Sequence, residues 1–218
     1  MKVLSKNKSR ILVNTLLIIA AGFVGLSCLI FFFPLSSIDL RISHFIQRHQ
    51  NVRLDHFMYF VSLFGTMPYS AVTVAVASFG FLISGYKREA LFSLLSALSG
   101  LVSALTKLLI NRPRPAKDLV KIMEITREQS FPSGHTLFYT VFFGFMIIAM
   151  RNLKSVNQIV RIIVTSISAA MILLVPFSRI YLGAHWFTDV LGGAMLGVLC
   201  LSLLGYFYLP KTARLHDV

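Results

Sequence analysis

Apolar and polar positions along the chain divide it into six long apolar runs separated by short polar segments. A helix needs about 20 mostly apolar residues to cross the hydrocarbon core of a bilayer. Most of the runs reach that length, although the fourth is short and Gly65 and Pro68 interrupt the second. The pattern predicts six transmembrane helices, at Ile11–Phe33, Phe57–Ile83, Ala90–Ile110, His135–Met150, Ile159–Phe177 and Phe187–Leu209.

Two of the polar segments also carry apolar residues at helical spacing. Such an amphipathic pattern is typical of a short helix that lies at the membrane interface. The pattern is clear between the first two runs and weaker in the segment before Ser130. It predicts interfacial helices around Ile38, Ile42, Phe45 and Ile46 in the first segment, and around Val120 and Met123 in the second.

The composition agrees with an all-α, polytopic membrane protein. Hydrophobic residues make up 56% of the chain and charged residues 13%, with a mean hydropathy of +0.76, whereas a soluble domain carries about 25% charged residues. Six spans in 218 residues leave no room for a soluble domain, so we expect one membrane-embedded domain over residues 1–218. The first run follows a basic start, but it is long and lacks a small-residue cleavage site. It is therefore expected to be a retained span and not a signal peptide.

The formal net charge is +13, but its distribution argues against a nucleic-acid partner. The cations are scattered between the spans, with no long basic arm and no patch interleaved with aromatic residues. They are expected to anchor helix ends and to contact the anionic headgroups of membrane lipids. Cys28 and Cys200 lie within apolar runs at no metal-binding or disulfide spacing, which predicts a packing role for both. No cofactor and no obligate protein partner are predicted.

Three polar clusters stand out against this apolar background. Loops that follow odd-numbered spans emerge on the same side of a membrane, and all three clusters lie in or beside such loops. We therefore expect them to share one face of the bilayer. The clusters are Lys107 with Arg114-Pro115, then Pro132-Ser133-Gly134-His135, then Ser178-Arg179 with His185 and Asp189.

The clusters contain the groups that phosphoryl transfer requires. The transferred phosphoryl group spreads negative charge over its oxygens, and fixed cations such as Lys107, Arg114 and Arg179 stabilise that charge. Proline on both sides of Arg114 keeps this arginine off a continuing helix. Ser133 is placed to cap the fourth span, which would leave the amides of Gly134 and the next residue for an anion.

Two histidines and one aspartate complete the predicted chemistry. Asp189 is four residues after His185, so on a helix both would lie on one face. The carboxylate would then hold one imidazole nitrogen and leave the other to attack phosphorus, while His135 protonates the departing oxygen. Taken singly, each residue also has a structural interpretation, such as an interfacial lysine, a helix cap or a structural hydrogen bond.

These motifs resemble those of the type 2 phosphatidic acid phosphatase family, which also includes vanadium haloperoxidases. The family pattern is Lys, six residues and Arg-Pro, then Pro-Ser-Gly-His, then Ser-Arg, five residues, His, three residues and Asp. Every position is met between residues 107 and 189. The resemblance implies that His185 becomes phosphohistidine, that Asp189 orients it and that His135 is the general acid. It assigns phosphate binding to Lys107, Arg114, Ser133, Gly134 and Arg179.

The resemblance further implies a site on the outer face of the cytoplasmic membrane, with both termini cytoplasmic. The expected activity is hydrolysis of a lipid phosphate such as phosphatidate, phosphatidylglycerol phosphate or undecaprenyl diphosphate. No metal site is predicted, because Asp118, Glu124 and Glu128 are interpreted as solvated surface residues and Asp189 already serves His185. Lipid phosphotransfer through the same intermediate is an alternative. A transporter of anionic headgroups is another, but it leaves the two histidines and the aspartate unexplained.

Overall fold

The computed structural model describes residues 6–124 and 128–209, and within these ranges the chain is entirely helical apart from turns and loops. Side chains are described from Arg10 onward. The all-α prediction is confirmed. The described ranges contain nine helices: α1 Lys6–Phe32, α2 Ser37–Gln47, α3 Val52–Leu63, α4 Tyr69–Ile83, α5 Lys87–Leu95, α6 Leu98–Ile110, α7 Gly134–Asn152, α8 Gln158–Tyr181 and α9 Phe187–Tyr208.

Five helical stretches are long and apolar enough to cross a membrane, which makes the chain a multi-pass membrane protein. The predicted second span was wrong as a single helix. Gly65 and Pro68 lie in the turn between α3 and α4, and only the shorter apolar α4 remains as a sixth candidate. The five stretches are Arg10–Phe32, Lys87–Ile110 (α5 with α6), Gly134–Asn152, Gln158–Tyr181 and Phe187–Tyr208.

Helix α7 forms the centre of the bundle. In the most apolar part of α7, 67% of the residues are buried, against 11–28% in the other candidate spans. The helix packs between α8 and α9. Gly193 and Gly197 of α9 allow α7 to approach closely. A methyl group at Gly193 would lie 2.6 Å from the Ser133 carbonyl oxygen, and one at Gly197 would lie 2.7 Å from Thr140 Cβ. A methyl group at Gly100 of α6 would have no such neighbour within 4 Å.

The first apolar run forms α1, which packs along α9. Its Phe23 ring stacks on Phe131 at 5.9 Å between centroids, and Ile30 is buried. The residues at both chain ends, for which a cytoplasmic position was expected, lie outside the described ranges.

The loops agree with the predictions only in part. The first predicted interfacial helix exists as α2, but its buried side chains are Asp39 and Ser43, while Ile38 and Phe45 point outward. The second was wrong, because residues 117–123 form turns and extended chain. Contacts with other segments hold that chain: the Met123 N–H donates to the Leu182 carbonyl at 2.9 Å, and the Lys121 N–H donates to Gln47 Oε1 at 3.1 Å.

Candidate active site

The three polar clusters meet at one end of the bundle, around a cavity of about 940 Å³. The expectation that they share one face is therefore met in the geometry of the chain. Two of the predicted residues, Ser133 and Asp189, are fully buried and do not line the cavity. The predicted residues that do line it are Lys107, Arg114, Gly134, His135, Arg179 and His185.

The end of α6 explains how the chain presents its first cations. Lys107 lies in the last turn, and Asn111 caps the helix in the left-handed region at φ 48°, which asparagine tolerates better than most residues. The chain then leaves the helix, as predicted from the flanking prolines. Arg114 donates from Nη1 to the Ala184 carbonyl and from Nε to the Glu128 carbonyl, each at 2.6 Å. Burial, with Arg179 nearby, lowers the pKa of Arg114 to about 10, which leaves the guanidinium charged at neutral pH.

The start of α7 forms around Ser133. The Ser133 Oγ accepts a hydrogen bond from the Thr136 N–H at 3.4 Å, which confirms the predicted helix cap. The same oxygen is 3.1 Å from Thr136 Oγ1. Because this oxygen is buried in the cap, Ser133 does not reach the cavity, whereas Gly134 and His135 of the same motif line it.

His135, the second residue of α7, packs closely against the turn between α3 and α4. Its Nε2 is 3.1 Å from Thr66 Oγ1. A methyl group at Gly65 would lie 2.4 Å from His135 Cδ2, so the imidazole occupies space that any other residue at position 65 would fill. The sequence analysis treated Gly65 only as a helix interruption and did not single out Thr66.

His185 lies in the turn before α9, so the expectation that it shares a helix face with Asp189 was wrong. Its Nδ1 is 3.6 Å from Asp189 Oδ2, which is too long for a hydrogen bond. Within the described residues this nitrogen has no hydrogen-bond partner. Its Nε2 is 3.4 Å from Arg114 Nη1. Burial, with Arg114 and Arg179 adding repulsion, holds the pKa of His185 well below its usual value and so favours the neutral imidazole.

Two glutamates form ion pairs with cations that line the cavity. Arg179 donates to both carboxylate oxygens of Glu124, at 2.6 and 3.0 Å, and Lys107 donates to Glu128 at 2.5 Å. The Lys107 ammonium lowers the pKa of the Glu128 carboxyl. The predicted solvated position is confirmed for Asp118 and for Glu128, whose side chain is 72% exposed although it pairs with Lys107. It was wrong for Glu124, whose side chain is only 19% exposed against Arg179.

Asp189 has close partners that the sequence analysis did not single out. Its carboxylate accepts hydrogen bonds from Arg112 Nη1, from Ser130 Oγ and, at 2.8 Å, from the Trp186 N–H. Arg112 also contacts Asp39 of α2 at 2.7 Å. Two sequence signals were present, since Arg112 precedes a proline as Arg114 does, and Asp39 is the acidic residue of an otherwise apolar and basic helix.

Comparisons with known proteins agree with this fold. The family model described as the PAP2 superfamily matches residues 88–213, which is more than half of the chain and includes all three clusters. Over 88% of its length the chain also superposes on 94% of a solved structure from Bacillus subtilis, with a TM-score of 0.76 and 25% identity. That structure is described as a transmembrane PAP2-type phosphatidylglycerolphosphate phosphatase.

Two curated relatives are also similar in sequence. Lipid phosphate phosphatase delta of Arabidopsis thaliana is 26% identical over 79% of the chain, and the match spans only 42% of that longer protein. Undecaprenyl-diphosphatase BcrC of Bacillus subtilis (strain 168) is 29% identical over 69% of the chain and 73% of its own length. The extent of the family match establishes that the chain belongs to the PAP2 superfamily.

Proposed function

We propose that the protein is a membrane phosphatase that hydrolyses the phosphate monoester or diphosphate of a lipid. The observation that carries the proposal is the convergence of two imidazoles and three cations on one cavity at the end of a membrane-spanning bundle. Relatives named for lipid phosphate, phosphatidylglycerolphosphate and undecaprenyl diphosphate support this class of substrate.

The geometry supports a distinct role for each histidine. His185 Nε2, on the Arg114 side, forms a bond to phosphorus as the bond from phosphorus to the lipid oxygen breaks. The departing oxygen takes a proton from His135. Water then attacks the phosphorus of the phosphorylated His185 and passes a proton to His135. The bond from phosphorus to Nε2 breaks, and inorganic phosphate leaves. Asp189, beside Nδ1, stabilises the positive charge that His185 acquires.

The cations supply the electrostatic stabilisation in this proposal. Lys107, Arg114 and Arg179 face the cavity together and would hold the phosphoryl oxygens, with the Gly134 amide as a further donor. The nearby carboxylates already have cationic partners, so we expect turnover to need no divalent metal. Activity should persist in EDTA, and vanadate should inhibit by occupying the same cations. Loss of activity on chelation, restored by magnesium, would contradict this expectation.

The rest of the cavity supports a lipid as the substrate. Beyond the polar groups it extends between α4 and α6, where its lining is apolar or small, at Ala71, Val74, Ala97, Gly100 and Ala104. A hydrocarbon chain fits such a lining better than a soluble phosphate does. We place the cavity at the outer face of the cytoplasmic membrane, as the family resemblance implies. Both ends of the bundle carry cations, and discounting Lys107, Arg114 and Arg179 as site residues restores some of the excess of cations expected at the opposite, cytoplasmic end.

A phosphate-release assay on the purified protein tests the proposal. Phosphatidate, phosphatidylglycerol phosphate and undecaprenyl diphosphate are offered in mixed micelles, with the His185→Ala protein as control. We expect release from at least one lipid, none with His185→Ala, and an acid-labile phosphoryl label on the wild-type protein. Release at the wild-type rate by His185→Ala would overturn the mechanism. Transfer of phosphate to an added alcohol in preference to water would identify a phosphotransferase.

A further inference from the structure

Arg112 joins two carboxylates that come from distant parts of the chain. Its Nη2 donates to Asp39 Oδ2 at 2.7 Å and its Nη1 donates to Asp189 Oδ1. It also donates to Thr188 Oγ1 at 2.7 Å and to the Pro34 carbonyl at 2.8 Å. The side chains of Arg112, Asp39 and Asp189 are all 0% exposed. We call these three residues the buried charge group.

Asp39 also binds the first turn of α9. It accepts hydrogen bonds from the Thr188 N–H at 2.9 Å and from Thr188 Oγ1 at 3.0 Å. The first amides of a helix have no partner within the helix. Asp39 therefore acts as a capping carboxylate that α2 supplies to α9. One residue further along, Asp189 accepts the hydrogen bond from the Trp186 N–H in the same turn.

The buried charge group contains two carboxylates and one guanidinium, so negative charge is in excess. This matters because water does not screen charges at such a depth. If Asp39 were neutral, the charge of Asp189 would be balanced by Arg112 alone. His185 would then acquire positive charge during attack with no net anion beside it, while Arg114 and Arg179 repel that charge from the other side.

We propose that Asp39 is a positioning residue for the reaction. By sharing Arg112 with Asp189, it leaves Asp189 with negative charge for the His185 imidazole and fixes the carboxylate beside Nδ1. The inference rests on the proposed function, because it concerns the step in which His185 attacks phosphorus. The role is electrostatic, so it predicts an effect on turnover and not on substrate binding.

The primary test is Asp39→Asn, which keeps the shape of the side chain and removes its charge. We expect kcat to fall by roughly 10²-fold, the loss typical of a displaced catalytic group, with KM within about twofold of wild type, since the cations of the cavity are unchanged. The rate at which phosphoryl label appears on the protein should fall by the same factor. An unchanged kcat, or a change confined to KM, would overturn the inference.

A double variant separates the charge role from a structural one. If Asp39 matters because it offsets Arg112, then Asp39→Asn combined with Arg112→Gln should be faster than Asp39→Asn alone, by about tenfold. If Asp39 matters only because it holds α2 against α9, then the second substitution removes more contacts and the double variant should be slower still. The latter result, in protein that elutes as a single folded species, would overturn the inference.

A control variant at the other end of the bundle tests whether the loss of any buried carboxylate lowers kcat. Glu89 is buried at the other end of the bundle, where it accepts a hydrogen bond from Tyr208 Oη at 2.8 Å. Glu89→Gln should lower the melting temperature and leave kcat unchanged. If Asp39→Asn does not fold, Thr188→Val, which removes a hydroxyl between Asp39 and Arg112, should still lower kcat several-fold, and an unchanged kcat would count against the inference. Wild-type protein without phosphatase activity would instead refute the proposed function.

Discussion

Two sets of carboxylate–cation contacts flank the imidazoles, and they differ in their exposure to solvent. In the buried charge group every side chain is 0% exposed. In the cavity, Glu124 is 19% exposed and Glu128 is 72% exposed, on Arg179 and Lys107 respectively. Carboxylates and cations are therefore fully buried together on one side of His185. On the other side the carboxylates are partly exposed and can be replaced by another anion.

The difference separates the cations that a phosphate can reach from one that it cannot. Removing one partner from a buried ion pair leaves an uncompensated charge, which costs about 3–5 kcal/mol. The pair of Lys107 with the exposed Glu128 contributes only about 0–1 kcal/mol, so a phosphate with more negative charge can displace this glutamate. Glu124 lies at the cavity wall and is partly exposed on Arg179, so a phosphate in the cavity can compete with it as well. Lys107 and Arg179 thus fit a substrate-binding role, while Arg112, only two residues from Arg114, fits a structural one.

Deleting the guanidinium of the buried charge group should have the largest effect on stability. Arg112→Met leaves two carboxylates buried without a cation, and we expect a loss of about 3–5 kcal/mol in the free energy of unfolding. Glu128→Gln, the matched change in the cavity, should cost at most about 1 kcal/mol. Thermal unfolding in one detergent compares the two. Similar melting temperatures for both variants would show that the distinction between the groups is wrong.

The proposed acid role of His135 is tested by changing the leaving group. His135→Ala should slow hydrolysis of a lipid phosphate by roughly 10²–10⁴-fold, because an alkoxide is a poor leaving group without a proton. Nitrophenyl phosphate, whose leaving group needs little protonation, should be partly spared. His185→Ala should be equally inactive on both, provided that chemistry limits the rate. Equal losses for His135→Ala on the two substrates would favour a phosphate-binding role for this histidine.

Removing the contact between Glu124 and Arg179 should affect substrate binding, and by a smaller factor. Glu124→Gln removes the charge that competes with phosphate for Arg179, so we expect KM to fall several-fold, with kcat little changed. Inhibition by vanadate should become stronger in parallel. Asp118→Asn, an exposed change in the same loop, is the control and should alter neither value. A higher KM for Glu124→Gln would mean that Glu124 orients Arg179 for the substrate.

The same comparison explains what the sequence could predict. Hydrophobic runs and loop parity were enough to bring Lys107, His135 and His185 to one end of the bundle, because membrane topology constrains which loops meet. The contact between Arg112 and Asp39 was not predictable in this way. Asp39 lies on an amphipathic helix whose polar face was expected at the surface, and only the packing of α2 against α8 and α9 turns that face inward.

The break between α3 and α4 shows another limit of sequence reasoning. A hydropathy profile averages over neighbouring residues and carries no information on tertiary contacts. It therefore identifies Gly65 only as an interruption of an apolar run. In the structure Gly65 makes room for the His135 ring, and the adjacent Thr66 contacts that ring. Similarly, the pairing of Glu124 with Arg179 joins residues 55 positions apart, which no local pattern encodes.

The smallest predicted effect concerns the pH dependence of stability. Burial, Arg114 and Arg179 lower the pKa of His185 in the folded protein, whereas the unfolded chain titrates near the usual value of about 6.5. As the pH falls below that value, the unfolded state binds a proton that the folded state does not, so stability falls. His185→Gln should remove this contribution and flatten the decline of the melting temperature between about pH 6.5 and pH 5. His56→Gln, at a histidine outside the cavity, is the control and should leave the slope unchanged. An identical slope for wild type and His185→Gln would mean that folding does not lower the pKa of His185, which would contradict the effect of burial and of the neighbouring arginines.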